Sequence, residues 1–325
     1  MRENSFIDKF NTHISENRLF RNTETILLAV SGGIDSVVMA ELFYQCKLNF
    51  GIAHCNFQLR DEDSNADEKF AKEIAEKYDV AFYDKRFDTI KFQKENKLSL
   101  EEAARILRYE WLEGIRSAFN YNFIATAHHI NDSIETIILN LTKGTGIRGL
   151  KGIPVKNGFV VRPLLFAARE EIEIFAKENN LQYRTDKTNL NNDFQRNKIR
   201  NLVIPVLKEI NPALEKTFHK NIKHFIDAEL LYKEQIEKKV KKLLDRRKDA
   251  IYIPINTLKT LPASATYLFE IVKQFNFSDD QSEEVHENLF GSGKQFFSST
   301  HRLIVDRKFL IITSVNTEDS KHIII

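Results

Sequence analysis

The strongest constraint on this chain is an alternation. Five short runs rich in aliphatic and aromatic residues, Thr25–Val30, Phe50–Cys55, Ala81–Phe87, Phe123–Ala127 and Phe159–Pro163, are separated by helical patterns. The intervening helices fit Ser36–Gln45, Asp63–Tyr78, Ser99–Phe119 and Asp132–Thr142. A strand that is followed by a helix returns to the sheet parallel to its predecessor, because the crossover carries the chain back. The expected fold is therefore α/β, a mostly parallel, doubly wound sheet. A short helix at Ile7–Phe20 leads into it, and helices at Arg169–Asn179 and Phe194–Lys208 follow it. In such sheets ligands bind beyond the carboxyl ends of the strands.

Asn211-Pro212 breaks the pattern and sets the expected domains at 1–210 and 211–325. After the break, Ala213–Lys248 reads as one long charged helix, and a small α+β unit follows. That unit holds a strand at "AIYIPI", helices at "ASATYLFEIVKQF" and "SDDQSEEVHENLF", and a hairpin in "KQFFSSTHRLIVDRKFLIIT". A length of 325 residues, 42% of them hydrophobic and 29% charged, suits two globular domains. No apolar run approaches the roughly 18 residues of a membrane span. The first twenty residues lack a hydrophobic signal core, and Cys46 and Cys55 match neither C-x-x-C nor a zinc spacing. A cytoplasmic protein is expected.

Net charge is only +2, yet Arg196 to Asp249 carries 15 Lys/Arg against 8 Asp/Glu, with "KKVKKLLDRRK" at its end. Such a run is either a solvated helix face or the electrostatic footprint of a nucleic acid.

Three glycine clusters invite a phosphate reading. Ser31-Gly32-Gly33-Ile34-Asp35-Ser36 closes a strand and opens a helix. Glycine permits a sharp turn and close approach, and the helix N-terminus offers free N–H groups, which together make an anion cradle. The alternative is an ordinary strand–helix turn capped by Ser36. "GTGIRG", Gly144 to Gly149, follows a helix rather than a strand, so it is not a dinucleotide loop and is left as an active-site loop candidate. "GSGK", Gly291 to Lys294, fails the P-loop pattern at both ends and reads as a turn into the hairpin.

The Ser31–Ser36 segment resembles the SGGxDS loop of the N-type ATP pyrophosphatases, the PP-loop superfamily. Further segments narrow the resemblance to the tRNA(Ile)-lysidine synthases. "AHCNFQLR" (Ala53 to Arg60) is similar to that family's H-x-N-H-x-L-R, and "EEAARILRYEWL" to its A-R-x-x-R-Y helix. "ATAHHINDSIETIILNLTKGTGIRGLKGI" resembles its A-H-x-x-D-x-x-E-T helix and G-T-G-x-x-G-L loop, and "RPLL" and "DKTNLNNDFQRNKIRN" its later segments. Where the family has a second histidine, this chain has Phe57, followed by Gln58. The region from about 213 to 314 resembles the family's first C-terminal domain. A further C-terminal domain is expected to be absent.

The resemblance implies a Rossmann-like PP-loop fold and a defined chemistry. ATP adenylates O2 of the wobble cytidine (position 34) in an isoleucine tRNA with a CAU anticodon. The lysine ε-amine then attacks C2, releasing AMP, with pyrophosphate lost earlier. Adenylation is needed because a carbonyl oxygen leaves poorly and AMP leaves well. The loop residues Ser31, Gly32, Gly33, Ile34, Asp35 and Ser36 would hold ATP, with adenine against Ala29 and the His54 backbone. Asp35 is a candidate Mg²⁺ ligand, since magnesium takes carboxylate and phosphate oxygens; the alternative is a first-turn helix acid. Arg108 would stabilise the α-phosphate, although a mid-helix arginine is also a common surface partner. Asp132 is either a helix-capping acid or the group facing the cytosine amine. Glu135, one turn on, shares its face. His128 and His129 are adjacent on a strand end and point apart, so they are poor joint metal ligands. Arg196 and Arg200, with Lys238, Lys241 and Arg246, are candidate tRNA-phosphate contacts. Partners are the tRNA and L-lysine, and the family also implies a homodimer. The rivals are a PP-loop tRNA thiolase, disfavoured by the cysteine pattern, and a non-catalytic nucleotide-binding regulator.

Overall fold

A computed structural model describes residues 5–59, 61–184, 195–247 and 249–315. Arg60, Lys248 and the whole of "DKTNLNNDF", residues 186–194, lie outside the described residues. The chain forms two compact units, Met1–Ile226 and Asp227–Ile325.

The first unit runs α1 (Phe6–Glu16), β1 (Thr25–Ala29), α2 (Ile34–Gln45), β2 (Asn49–Asn56), α3 (Asp61–Tyr78), β3 (Phe82–Arg86), α4 (Thr89–Asn96) and α5 (Leu100–Ala118). It continues with β4 (Phe123–Ala125), α6 (Ile130–Lys143), β5 (Lys156–Asn157), β6 (Val160–Val161), α7 (Arg169–Glu178), α8 (Gln195–Lys198), α9 (Ile204–Ile210) and the start of α10 (Leu214–Leu243). The sheet order is β3-β2-β1-β4-β6-β5, parallel except for the β5–β6 hairpin. The expected doubly wound sheet is present.

Alternation along β1 shows how the sequence builds two layers. Ile26 and Leu28 point into one core, with Val38 and Leu42 of α2. Leu27 points the other way, towards Leu112 of α5 and Tyr121. Both faces are covered, which is why the central strands read as continuous apolar runs.

Four expectations change. The helix expected at Phe194–Lys208 is interrupted by a π-helical turn, Ile199–Val203, between α8 and α9. Pro205 lacks an N–H and its ring crowds the preceding turn, so the α-helical ladder cannot continue unbroken there. The helix expected over Ala213–Lys248 stops at Leu243, and Asp245–Arg247 forms strand β7. This polar edge strand has no apolar alternation to announce it; Arg247 lies 4.5 Å from the centre of the Tyr252 ring and 5.5 Å from that of Phe309. The strand expected at Phe159–Pro163 shrinks to β6. Helix α4 was not anticipated; Asp88 caps it through the Lys91 N–H at 3.0 Å.

The first unit extends past Asn211-Pro212 because the first turns of α10 belong to its packing. Leu214 and Phe218 join Ile134, Ile199 and Ile204 in one apolar cluster.

The second unit contains the rest of α10, then β7, β8 (Ala250–Pro254), α11 (Ile255–Lys259), α12 (Ser264–Val272), α13 (Asp279–Glu287), β9 (Gln295–Phe297), β10 (His301–Val305) and β11 (Phe309–Ser314). Its sheet is antiparallel, ordered β7-β8-β11-β10-β9. Ile236, Val240 and Leu243 of α10 pack with Ile253, Leu268, Ile271, Leu303 and Leu310. Gly291–Lys294 is the expected turn into β9.

Candidate active site

β2 and β4 pair with opposite edges of β1, so the chain reverses its direction of winding between them. A crevice opens at the carboxyl ends of strands at such a switch point. Here it is a cavity of about 270 Å³ lined by Ala29, Val30, Ser31, Asp35, Ser36, Ala53, Cys55, Phe57, Arg108, Thr126, Ala127, His128 and Asp132. The structure thus brings Ala29, Ser31, Asp35, Ser36, Arg108 and Asp132 together from segments far apart in sequence.

The loop after β1 is shaped by its own hydroxyls. Gly32 adopts φ +88°, which favours glycine, and a Cβ there would press on the Phe70 ring at 3.3 Å. The Ser36 hydroxyl donates to the Gly33 carbonyl at 2.8 Å and accepts from the Ser31 N–H at 3.2 Å. The Ser31 hydroxyl accepts from the Gly33 N–H at 3.3 Å. Gly33 is the N-cap of α2, and no side chain caps the helix. The first turn of α2 is therefore available to an anion, with no capping side chain competing for its N–H groups. Gly32, Gly33 and Ile34 shape this turn without lining the cavity. The His54 side chain is buried away from it, its Nδ1 2.8 Å from the Val30 carbonyl.

A charge network extends outward from the cavity residues Asp132 and Asp35. Asp132 is both a helix acid and a cavity residue: its Oδ2 accepts from the His129 N–H at 2.9 Å, while its Oδ1 lies 3.5 Å from Arg200 and 3.8 Å from Arg196. Burial alone would raise its pKa, but His129, His128, Arg196 and the His129 N–H outweigh this and hold the carboxyl below its ordinary value. Glu135, only 1% exposed, accepts from Arg200 Nε at 2.6 Å and from Arg196 Nε at 3.0 Å. The two arginines share a face, as their spacing requires, but that face is turned to carboxylates. Asp35 pairs with Arg169, whose Nη1 is 2.9 Å from both carboxylate oxygens. Nothing in the sequence pointed to Arg169, because 134 residues separate the partners.

Burial pushes the His128 imidazole down to about 4, helped by Arg162, Arg196 and Arg108 and opposed by Asp132. At neutral pH it is uncharged. Cys55, another cavity residue, is pushed up to about 12 by burial, so it is a thiol rather than a nucleophilic thiolate. Phe57 supplies an aromatic wall and has the Arg108 guanidinium 5.2 Å from its ring centre. Among the described residues no group of three His, Cys, Asp or Glu side chains is arranged to hold a metal ion. Asp35 and Asp132 do present hard carboxylate oxygens to the cavity, the donor set that suits magnesium shared with substrate phosphates.

The "GTGIRG" segment is placed elsewhere. It leads into a short 3₁₀ helix, Ile147–Lys151, tied to α6 by the Asn140 side-chain amide, which donates to the Gly149 carbonyl at 2.9 Å. It borders a separate cavity of about 1080 Å³ rather than the one holding Asp132. In the second unit, Lys238, Lys241 and Arg246 are exposed.

Known proteins share this two-domain organisation. Residues 3–207 match a PP-loop domain family, and residues 246–315 match a TilS substrate binding domain family. The chain is 41% identical over 318 residues to a tRNA(Ile)-lysidine synthase of Parabacteroides distasonis, covering 95% of this chain and 70% of that one. A tRNA(Ile)-lysidine synthase of Bacteroides thetaiotaomicron is 37% identical, with 94% and 71% covered. Among solved structures, the U34-tRNA thiolase NcsA of Methanococcus maripaludis, with its [4Fe-4S] cluster, superposes with a TM-score of 0.54 at 16% identity. That match covers 68% of this chain and 79% of the thiolase, and it establishes shared fold alone.

Proposed function

The chain belongs to the tRNA(Ile)-lysidine synthases, ATP-dependent ligases that form lysidine at the wobble cytidine of an isoleucine tRNA, and from that premise we propose which groups carry the reaction. The observation behind the assignment is the convergence of the Ser31–Ser36 loop, Arg108 and Asp132 on one cavity.

The β- and γ-phosphates of ATP sit in the cradle at the N-terminus of α2, and adenine lies along the strand ends at Ala29 and Ala53. This points the α-phosphate at Arg108. Cytosine O2 attacks the α-phosphorus, pyrophosphate leaves, and Arg108 stabilises the charge that builds on the phosphoryl oxygens. Asp132 accepts from the exocyclic N4 amine and fixes the base for attack. Magnesium, held by Asp35 together with ATP oxygens, would neutralise phosphate charge. The lysine amine then attacks C2, the O2–C2 bond to AMP breaks, and the amine gives up its proton.

That amine must be neutral to react, and free lysine is protonated near pH 7. Asp132 and His128 are both weak bases, the latter with a pKa of about 4. The second half-reaction therefore quickens as pH rises from 7 towards 9, following the free-amine fraction.

Lys238, Lys241 and Arg246 are proposed to meet tRNA phosphates, while Arg196 and Arg200 primarily orient Asp132 through Glu135. A cytoplasmic site of action is proposed on the substrate's location, and a homodimer on the family resemblance. The test incubates the protein with ATP, Mg²⁺, labelled lysine and an isoleucine tRNA bearing CAU. ATP-dependent label on that tRNA alone is the expected result. Pyrophosphate release without any label would remove lysine transfer from the reading, and neither product would leave a nucleotide-binding regulator.

A further inference from the structure

Arg108 must bring its charge to a phosphate, yet a lone guanidinium on a helix is mobile and readily captured by a carboxylate. Among the described residues no carboxylate pairs with it. Its neighbour is instead the Phe57 ring, with the guanidinium carbon 5.2 Å from the ring centre. Phe57 stacks on Phe87 at 5.6 Å and 20°, and Phe87 meets the edge of Trp111 at 6.1 Å and 81°. Trp111 and Arg108 lie three residues apart on α5, on neighbouring positions of one helix face. The two residues of α5 thus bracket a pair of stacked rings.

The backbone of Phe57 is fixed independently. The Thr89 hydroxyl donates to its carbonyl at 2.9 Å. The next residue, Gln58, turns at φ +51° and donates its N–H to the Asn56 side chain at 3.0 Å. Asn56 in turn donates to Glu68 at 2.8 Å. The ring is therefore held through its backbone and through its stack on Phe87 before any substrate arrives.

We propose that Phe57 is a positioning residue for adenylation: its ring face holds the Arg108 guanidinium at the cavity wall without cancelling its charge. An aromatic face attracts a cation through its quadrupole and supplies no net countercharge. A carboxylate in that place would hold Arg108 equally well but would weaken its field at the phosphate. The histidine that the family resemblance leads one to expect here is replaced by a ring that cannot accept a proton, so in this chain the position works through its face. This inference rests on the assignment of Arg108 to the α-phosphate.

The test measures single-turnover pyrophosphate release by the full chain with ATP, Mg²⁺ and the CAU-bearing tRNA. Label transfer by the wild-type protein checks the functional reading separately; if the wild type is inactive, that reading fails on its own terms. Phe57→Leu is expected to slow release by roughly tenfold, to leave KM for ATP within about twofold, and to leave the melting temperature nearly unchanged. Phe57→Tyr keeps the ring and is expected to retain the wild-type rate. In an Arg108→Ala background, Phe57→Leu should cost less than about twofold more, because the two residues act through one interaction. Should Phe57→Leu fail to fold, Phe57→Met carries the same expectations. A wild-type rate for Phe57→Leu, a slow Phe57→Tyr, or losses that multiply in the double variant would each overturn the proposal.

Discussion

The two units of this molecule solve opposite problems. The first concentrates buried polar groups at the carboxyl ends of its strands: Glu135, His54, His129 and Arg162 are each at most 5% exposed. The second buries a mainly apolar core between the end of α10, its helices and its sheet, with Glu229 and Glu270 as its buried acids, and exposes Lys238 and Lys241. Buried charge is tolerated only when paired and hydrogen-bonded. The first unit meets that condition with the Asp132–Arg196–Arg200–Glu135 network, which also fixes the orientation of a cavity carboxylate. The contrast teaches that chemistry sits where packing has been traded for charge, and that the small unit is a scaffold for its surface.

The contrast can be broken most severely at Asp132. Asp132→Ala is expected to lower lysine transfer by about 10²- to 10⁴-fold while ATP still binds, since the loop that holds ATP is intact; equilibrium nucleotide binding beside labelled-lysine transfer checks this. A cavity made in the other unit should do the reverse. Leu303→Ala, at a fully buried site, is expected to cost about 2–5 kcal/mol, seen as early melting with a loss of tRNA affinity and little change in ATP affinity. Parallel loss of both affinities would show that the two units do not fold independently.

Glu135→Gln probes the network itself. The arginines are partly exposed, at 31% and 37%, so water screens the charges left behind. A destabilisation of about 2 kcal/mol, confined to the first unit, is expected in denaturant melts. Acid should also act on the first unit. Burial lowers the pKa values of His13, His54 and His128 below the ordinary 6.5. The unfolded chain therefore binds more protons below pH 6.5, and stability is full above that value and falls as pH drops towards 4. Among the described residues the second unit has no buried histidine, so probes placed there should report a flatter profile. The smallest effect is on the surface: Lys238→Ala and Lys241→Ala should each reduce the slope of log tRNA affinity against log salt by about one unit.

Much of this organisation was legible in the sequence because its causes are local. The strand–helix alternation is set by side-chain periodicity, and the Ser31–Ser36 loop by a glycine that tolerates φ +88° and hydroxyls that bond within the turn. Pairings between distant segments were not legible. The facing of Arg196 and Arg200 towards Glu135 was missed because helical spacing says that two side chains point together, not at what. Arg169 and Phe57 were missed as site-shaping residues because their partners, Asp35 and the α5 face, become neighbours only when the sheet closes. The β7 edge strand was missed because its three residues carry no apolar alternation.

By itself, the sequence determined the parallel sheet and the glycine turn at the start of α2, since propensity, periodicity and capping act within a few residues; Asp132 and Arg108 were singled out only by the family resemblance. Only the tertiary structure decided that the Asp132 carboxyl is held below its ordinary pKa by His129, His128, Arg196 and the His129 N–H, that His128 is neutral, and that Arg108 rests on an aromatic ring. Those properties depend on burial and on charges brought within a few ångströms by the fold, and neither quantity exists until the chain has packed.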